Sequence, residues 1–180
     1  MDRRRAFLVA ALLIASAGAA RAEAEQDLAR GAARLAPFKT QLQHALQKGL
    51  ADGPAAAIAV CRVEAPRIAA SLSREGIRMG RTSHKLRNPA NAGPAWARPL
   101  LDDYLADPAR RTPRVVSLGH DRLGYVEPIL VQAPCLLCHG ETLAPEVART
   151  LAELYPSDRA TGFREGDLRG IFWVEFPERP

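Results

Sequence analysis

The sequence lacks the residue sets on which many enzymes and structural metal sites depend. No Ser/His/Asp combination, no carboxylate pair and no glycine-rich phosphate loop is visible. No second Cys or His pair follows at the spacing of a zinc finger, and no internal repeat or low-complexity tract occurs. These absences make an enzyme the least favoured class and argue against a zinc module.

Long apolar runs are also scarce, and the one that is present lies at the N-terminus. The basic opening MDRRR precedes an apolar run over residues 6–20, and residues 20–22 form a small-x-small cleavage site. This pattern is typical of a secretory signal peptide that is cut after Ala22. The run is shorter than the roughly 20 residues of a bilayer-spanning helix, so an uncleaved anchor is the less favoured alternative. We predict a signal peptide over residues 1–22, one domain over residues 23–180 and a periplasmic location.

The excess of positive charge belongs mostly to this leader. The formal net charge of the whole chain is +5, and the leader carries four arginines against one aspartate. A mature chain of charge about +2 gives no reason to expect nucleic-acid binding, despite the high isoelectric point. We therefore expect a redox or signalling protein as partner, and no nucleic acid.

The motif with the clearest chemical meaning is Cys135-x-x-Cys138-His139, the attachment sequence of a c-type haem. Its two thiols can add across the two vinyl groups of the porphyrin, and the following imidazole can bind the iron as proximal ligand. A thioredoxin-like redox motif needs no such histidine, and Pro134 and Gly140 predict a surface turn rather than the start of a helix. We predict one covalent haem c, in agreement with an exported chain.

Three cysteines are an odd number for an exported protein, so Cys61 has no disulfide partner if the other two hold haem. Electron-carrying cytochromes c commonly use Met or His as the distal ligand, and a buried cysteine also behaves as a small hydrophobe. Ile58, Val60 and Val63 give Cys61 core-like neighbours. The residues alone leave five candidates for the distal position: Cys61, Met79, His44, His84 and His120.

The hydrophobic periodicity predicts helices first and then a mostly antiparallel sheet interrupted by helices, which is an α+β pattern. Pro37 is expected to kink or split the first helix, and Pro66 to begin a new one. The predicted helices cover residues 23–50, 55–63, 66–74, 95–105 and 145–155, and the predicted strands cover residues 77–83, 114–118, 125–131 and 167–176.

Four segments together carry a family resemblance: AIAVCRVEAP at 57–66, RTSHKLRNPAN at 81–91, YVEPILVQAPCLLCHG at 125–140 and YPSDRATGFREGDLRG at 155–170. Over roughly residues 30–177 the chain resembles the c-type haem family of exported PAS-fold domains, long catalogued as a domain of unknown function. The resemblance implies a PAS-like antiparallel sheet with N-terminal and flanking helices, and a covalent haem held in a loop. It also implies that a cysteine thiolate, here Cys61, binds the iron opposite His139.

These observations favour haem binding with low-potential electron transfer, because a thiolate ligand stabilises ferric iron. The alternative is a sensor of redox state or of a diatomic gas that acts through a separate partner. A haem enzyme such as a peroxidase would need an open or labile distal site. Haem surroundings are expected at Arg81, Arg87, Asn88 and Asn91, although a rigid turn held by Asx hydrogen bonds explains residues 87–91 equally well.

Overall fold

The computed structural model of the chain describes residues 3–177, with side chains from residue 20 onward. Two long helices open the fold, α1 over Arg3–Leu50 and α2 over Pro54–Leu72. The expected split at Pro37 and the expected new helix at Pro66 are wrong, because α1 runs unbroken past Pro37 and α2 runs unbroken past Pro66. Both proline rings are exposed, and the two helices pack against each other. This packing outweighs the one backbone hydrogen bond that each proline removes.

Four strands form one antiparallel sheet: β1 Arg78–Thr82, β2 Arg114–Gly119, β3 Arg122–Leu130 and β4 Leu168–Phe176. Their spatial order is β1-β4-β3-β2, so the last strand of the chain lies between the first and the third. The β2–β3 hairpin turns at His120 and Asp121, which both have positive φ as a two-residue type I′ turn requires. The predicted α+β class with an antiparallel sheet is confirmed.

Short helices connect the strands: α3 Arg98–Ala106, α4 Leu136–His139 and α5 Pro145–Leu154. The Cys-x-x-Cys-His motif was predicted to form a surface turn, and this is wrong. It begins with a 3-10 turn over Ala133–Cys135 and continues directly into α4. Pro134 lies at the first turn of this segment, where its fixed φ suits a helix, and Gly140 follows the last helical residue.

The sheet separates two apolar clusters because successive side chains of a strand point to opposite faces. One cluster lies against α1 and α2 and comprises Leu35, Phe38, Ile68, Met79, Tyr125, Val174 and Phe176. The other lies against α3 and comprises Ala97, Leu100, Leu101, Tyr104, Val126, Leu168 and Ile171. Helix α1 approaches β3 so closely that a Cβ on Gly31 would lie 2.2 Å from the Tyr125 ring.

The predicted leader forms the first part of α1, apart from residues 1 and 2, which lie outside the described residues. None of the described helices is both long and apolar enough to cross a membrane. Cleavage after Ala22 and export stay predictions.

Candidate functional site

The haem-attachment motif is fixed to the loop over residues 155–163 by backbone hydrogen bonds. The amide of Gly162 donates to the carbonyl of Gly140 at 3.0 Å, and the amide of Phe163 donates to the carbonyl of His139 at 3.0 Å. Just before the motif, the amide of Val131 donates to Asp167 at 2.9 Å. The end of α4 is therefore held on a rigid frame, because its backbone groups pair with a segment that leads straight into β4.

His139 has a defined orientation within this frame. Its Nδ1 lies 2.6 Å from the carbonyl oxygen of Ala160, and its ring packs edge-on against Phe163 with centroids 6.3 Å apart. Burial, aided by the charges of Arg169 and Arg87, lowers the pKa of His139 to about 2. The imidazole is therefore neutral, and because a carbonyl can only accept, Nδ1 carries the proton. The lone pair of Nε2 is then available for a metal, as in most metal-binding histidines.

Arg87 connects three parts of the site. Its Nε donates to Asp158 Oδ2 at 3.1 Å, and its Nη2 donates to the carbonyls of Cys138 and Ala160, the latter at 3.4 Å. The Arg87 side chain is 14% exposed and that of Asp158 is 9% exposed. Arg87 therefore lies beside the attachment motif, its expected place near a haem stays a prediction, and its ion pair with Asp158 was not predicted.

The three cysteines are all free thiols. Cys135 Sγ accepts a hydrogen bond from the amide of Gln132 at 3.4 Å, and Cys138 Sγ lies 4.0 Å from the carbonyl of Pro54 at the start of α2. Burial is the main cause that raises the pKa of Cys138, and the Cys61 thiol also contributes. Helix α2, which carries Cys61, therefore lies beside the motif.

Cys61 is half-buried on α2, in the same electrostatic environment as His139. Burial raises the pKa of its thiol, while the positive charges of Arg81 and Arg87 act in the opposite direction. The same two arginines lower the pKa of His139, so both residues lie near one pair of guanidinium groups. The expected core-like surroundings are correct for Ile58, which is buried, and wrong for Val63, which is 54% exposed because it faces solvent on α2.

Arg81 differs from Arg87 in having no carboxylate within ion-pair distance among the residues that the structure describes. Burial lowers its pKa, and the largest opposing effects come from Cys61 and Tyr155. A partly buried cation without a partner is costly, which makes this position suited to an anionic group. The side chain of Arg81 is thus available to a thiolate or a carboxylate that binds nearby.

The other candidate ligands have different environments. Met79 is buried in the α1-facing cluster, His44 is exposed on α1, and His120 is exposed at the hairpin turn. His84 is half-buried against Phe163, with ring centroids 5.7 Å apart, and its Nδ1 has no partner in the described part of the chain. His84 thus lies against the same phenylalanine ring, Phe163, that also packs against His139.

The residues near Arg87 serve partly to shape a turn. The Asn88 side chain accepts from the amide of Ala90 at 3.0 Å, and the Asn91 amide donates to the Asn88 carbonyl at 3.0 Å. Asn88 also lines a cavity of about 240 Å³ together with Arg87 and Tyr155, whereas Asn91 does not line it. The Asx turn is therefore observed, and only Asn88 of this pair also borders the cavity.

Sequence reasoning missed Ala160, Arg169 and the pairing of Asp158 with Arg87. Ala160 acts through its backbone carbonyl, which any residue could supply, so no sequence signal marks it. Asp158 does shape its turn, because Oδ1 accepts from the amide of Ala160 at 2.7 Å. Its second role, as the partner of Arg87, joins residues that lie 71 positions apart.

Comparison with known proteins relates the chain to a haem protein. The model of the Tll0287-like family matches residues 8–177. A solved structure, the crystal structure of the cyanobacterial heme-protein Tll0287, is 28% identical, with a TM-score of 0.62. The alignment covers 86% of this chain and 96% of that one. No curated protein matches the chain.

Proposed function

The chain belongs to the Tll0287-like family, and from this premise we propose that it is an exported monohaem c-type cytochrome that transfers electrons at low potential. The similar solved structure is that of a heme-protein, which supports haem binding by this chain. The attachment motif supports a covalent link, because Cys135 and Cys138 have the spacing of the two thioether cysteines and are followed directly by a histidine.

The observation that carries this proposal is the state of His139. Its Nδ1–H donates to Ala160 over 2.6 Å and its imidazole is neutral, which leaves Nε2 as a ready ligand next to the two thiols. The donor set therefore fits a haem attached through Cys135 and Cys138, with His139 as the proximal ligand.

Cys61 would be the second protein ligand of the haem iron. It lies with His139 near the charges of Arg81 and Arg87 and is close enough to Cys138 to affect its pKa. When bound, the haem supplies a one-electron ferric/ferrous couple, and thiolate ligation favours the ferric form. Arg81 contributes a positive charge that offsets that of the thiolate, and Arg87 holds the segment that presents the histidine.

The experiment that tests this function is production of the chain in a bacterium that attaches c-type haem, followed by intact-mass measurement. We expect the mature chain from residue 23 plus one haem, and loss of the covalent haem in Cys135→Ser/Cys138→Ser. A mass equal to that of the polypeptide alone would refute haem attachment. A chain that retains residues 1–22 would refute the proposed processing but leave the haem assignment intact.

The distal ligand needs its own variants. Cys61→Ala should keep the covalent haem and change the electronic and resonance Raman spectra of the ferric protein. Met79→Leu is the matched control, because Met79 is buried in the core and should leave the spectra unchanged. Altered spectra in Met79→Leu together with unchanged spectra in Cys61→Ala would assign the ligand to methionine and refute thiolate ligation.

A sensor function is the second candidate, and the position of α2 favours it. This helix contacts α1, α5 and β1 as well as the attachment motif, so release of Cys61 from iron would change the packing of several elements. A spectroelectrochemical titration with and without CO separates the two functions. A carrier keeps both axial ligands on reduction and excludes CO, whereas a sensor loses the thiolate and binds the gas.

A further inference from the structure

We infer that Arg87 is a positioning residue for the axial imidazole and thereby tunes the reduction potential of the bound haem. The inference rests on the proposed haem function and adds a control element to it. Arg87 lies in the loop that follows β1, whereas the groups it contacts belong to α4 and to the loop over residues 155–163. It therefore connects three segments that are distant in sequence around one histidine.

Arg87 acts on both sides of the His139 hydrogen bond. On the donor side, Nη2 binds the carbonyl of Cys138, the residue immediately before His139. On the acceptor side, the Ala160 peptide is held through Asp158, whose Oδ1 accepts from the Ala160 amide at 2.7 Å while its Oδ2 accepts from Arg87 at 3.1 Å. The relative placement of the imidazole and its carbonyl acceptor thus depends on one guanidinium.

Arg87 also affects the acceptor electronically. The Ala160 oxygen accepts from His139 Nδ1 at 2.6 Å and, over a longer 3.4 Å, from Arg87 Nη2. A charged donor on the same oxygen draws electron density from it and weakens its pull on the Nδ1 proton. Without Arg87 the imidazole gains anionic character and a nearby positive charge is lost. Both effects stabilise ferric iron, so the potential should fall.

Arg159 provides a matched control. It lies next to Ala160 in the loop over residues 155–163, its side chain is exposed, and in the described part of the chain only its backbone amide is bonded, to Leu86 at 2.9 Å. Arg159→Gln therefore removes the same charge without touching the Cys138 or Ala160 carbonyl. Arg87→Lys retains the charge but cannot span three acceptors, which separates orientation from charge. Arg87→Lys also keeps the inference testable if Arg87→Gln fails to fold.

The first measurement is the reduction potential of the holoproteins by spectroelectrochemistry, after their masses have shown that haem is attached. We expect Arg87→Gln to have the lowest potential, Arg87→Lys an intermediate one, and Arg159→Gln that of the wild type. A purely structural role for Arg87 predicts a lower yield or stability with an unchanged potential. Equal potentials in Arg87→Lys and the wild type, or equal shifts in Arg87→Gln and Arg159→Gln, would overturn the inference.

The second measurement needs no haem, so that it separates this inference from the proposed function. Nitrogen-15 NMR of the apoprotein, with His139→Gln for assignment, should show the His139 ring protonated at Nδ1. Arg87→Gln and Arg87→Lys should both shift this signal, and Arg159→Gln should not. If the wild type carries no haem but the shift is found, the haem function fails and the positioning role stands. If haem is attached and neither the signal nor the potential changes, only the positioning role fails.

Discussion

The α1-facing cluster and the cysteine–histidine site are held together by different forces. The cluster consists of apolar side chains, and Leu35, Phe38 and Val174 are at most 1% exposed. The site contains neutral His139, partly buried thiols and guanidinium groups, and Asp158 is the carboxylate that pairs with Arg87. Apolar burial supplies most of the stability of a fold, whereas a polar site is arranged for chemistry at some cost. Variants of the cluster should therefore unfold the protein, and variants of the site should alter its function first.

The largest expected effect comes from Phe38→Ala. Phe38 is 1% exposed and meets Phe172 edge-on, with ring centroids 5.8 Å apart. Loss of the ring removes buried area and leaves a cavity, so the free energy of unfolding should fall by about 3–5 kcal/mol. Urea unfolding measures this change, with Phe38→Leu as a milder control. An unfolding free energy like that of the wild type would contradict the assignment of stability to this cluster.

The α3-facing cluster can be tested at high pH through Tyr104. Burial raises the pKa of this phenol to about 12, and its hydroxyl donates to the carbonyl of Thr112. Because the folded state holds the phenol proton more tightly, the protonated Tyr104 makes its full contribution to the free energy of unfolding below pH 10. This contribution, about 3 kcal/mol, is lost as pH rises from 10 to about 12. In Tyr104→Phe this alkaline loss should be absent, and at neutral pH the variant should be about 1 kcal/mol less stable.

The measurement for Tyr104 is urea unfolding of the wild type and Tyr104→Phe at pH 8 and near pH 11.5. The difference between the two proteins should shrink or reverse at the higher pH. A difference that stays the same at both pH values would show that the phenol titrates alike in the folded and unfolded states.

Gly31→Ala tests the close approach of α1 to the sheet. The added methyl group would meet the Tyr125 ring at 2.2 Å, so overpacking should cost about 1–3 kcal/mol even though alanine favours a helix by about 1 kcal/mol. Ala33→Gly, at an exposed position of the same helix, measures the propensity effect alone. A more stable Gly31→Ala in urea unfolding would mean that α1 is not pressed against β3.

The smallest effect is expected for Arg81→Gln in the apoprotein. Arg81 has no carboxylate partner in the described structure, so its removal breaks no ion pair and relieves an unpaired charge, and the free energy of unfolding should rise, or fall by no more than about 0.5 kcal/mol below that of the wild type. Arg34→Gln beside the α1-facing cluster is the comparison, because it loses a 3.2 Å hydrogen bond to the Leu72 carbonyl and should cost about 1 kcal/mol. A larger loss for Arg81→Gln, measured by urea unfolding, would show that the site also stabilises the fold.

Predictions from the sequence succeed where the signal is local. The strands expected at residues 77–83, 114–118, 125–131 and 167–176 each overlap an observed strand. The same local reasoning fails at Pro37 and Pro66, because it counts the missing backbone donor and cannot see the packing between α1 and α2.

The site shows the same division between local and distant information. The motif Cys135, Cys138, His139 can be recognised from the sequence alone, because two thiols and an imidazole at that spacing suit one haem. The approach of Cys61 to this motif, by contrast, came from a family resemblance, because no rule of spacing relates residues on separate elements.

The sequence by itself determined the α+β pattern, the attachment motif and the presence of a third, unpaired cysteine. Only the tertiary structure decided which nitrogen of His139 is free, because the Ala160 carbonyl that holds the other belongs to a loop 21 residues away. It also decided that Arg87 is paired with Asp158, and that Arg81 has no carboxylate partner among the described residues. Hydrogen bonds and charge pairs depend on distances between elements, and those distances exist only after the sheet and helices have packed.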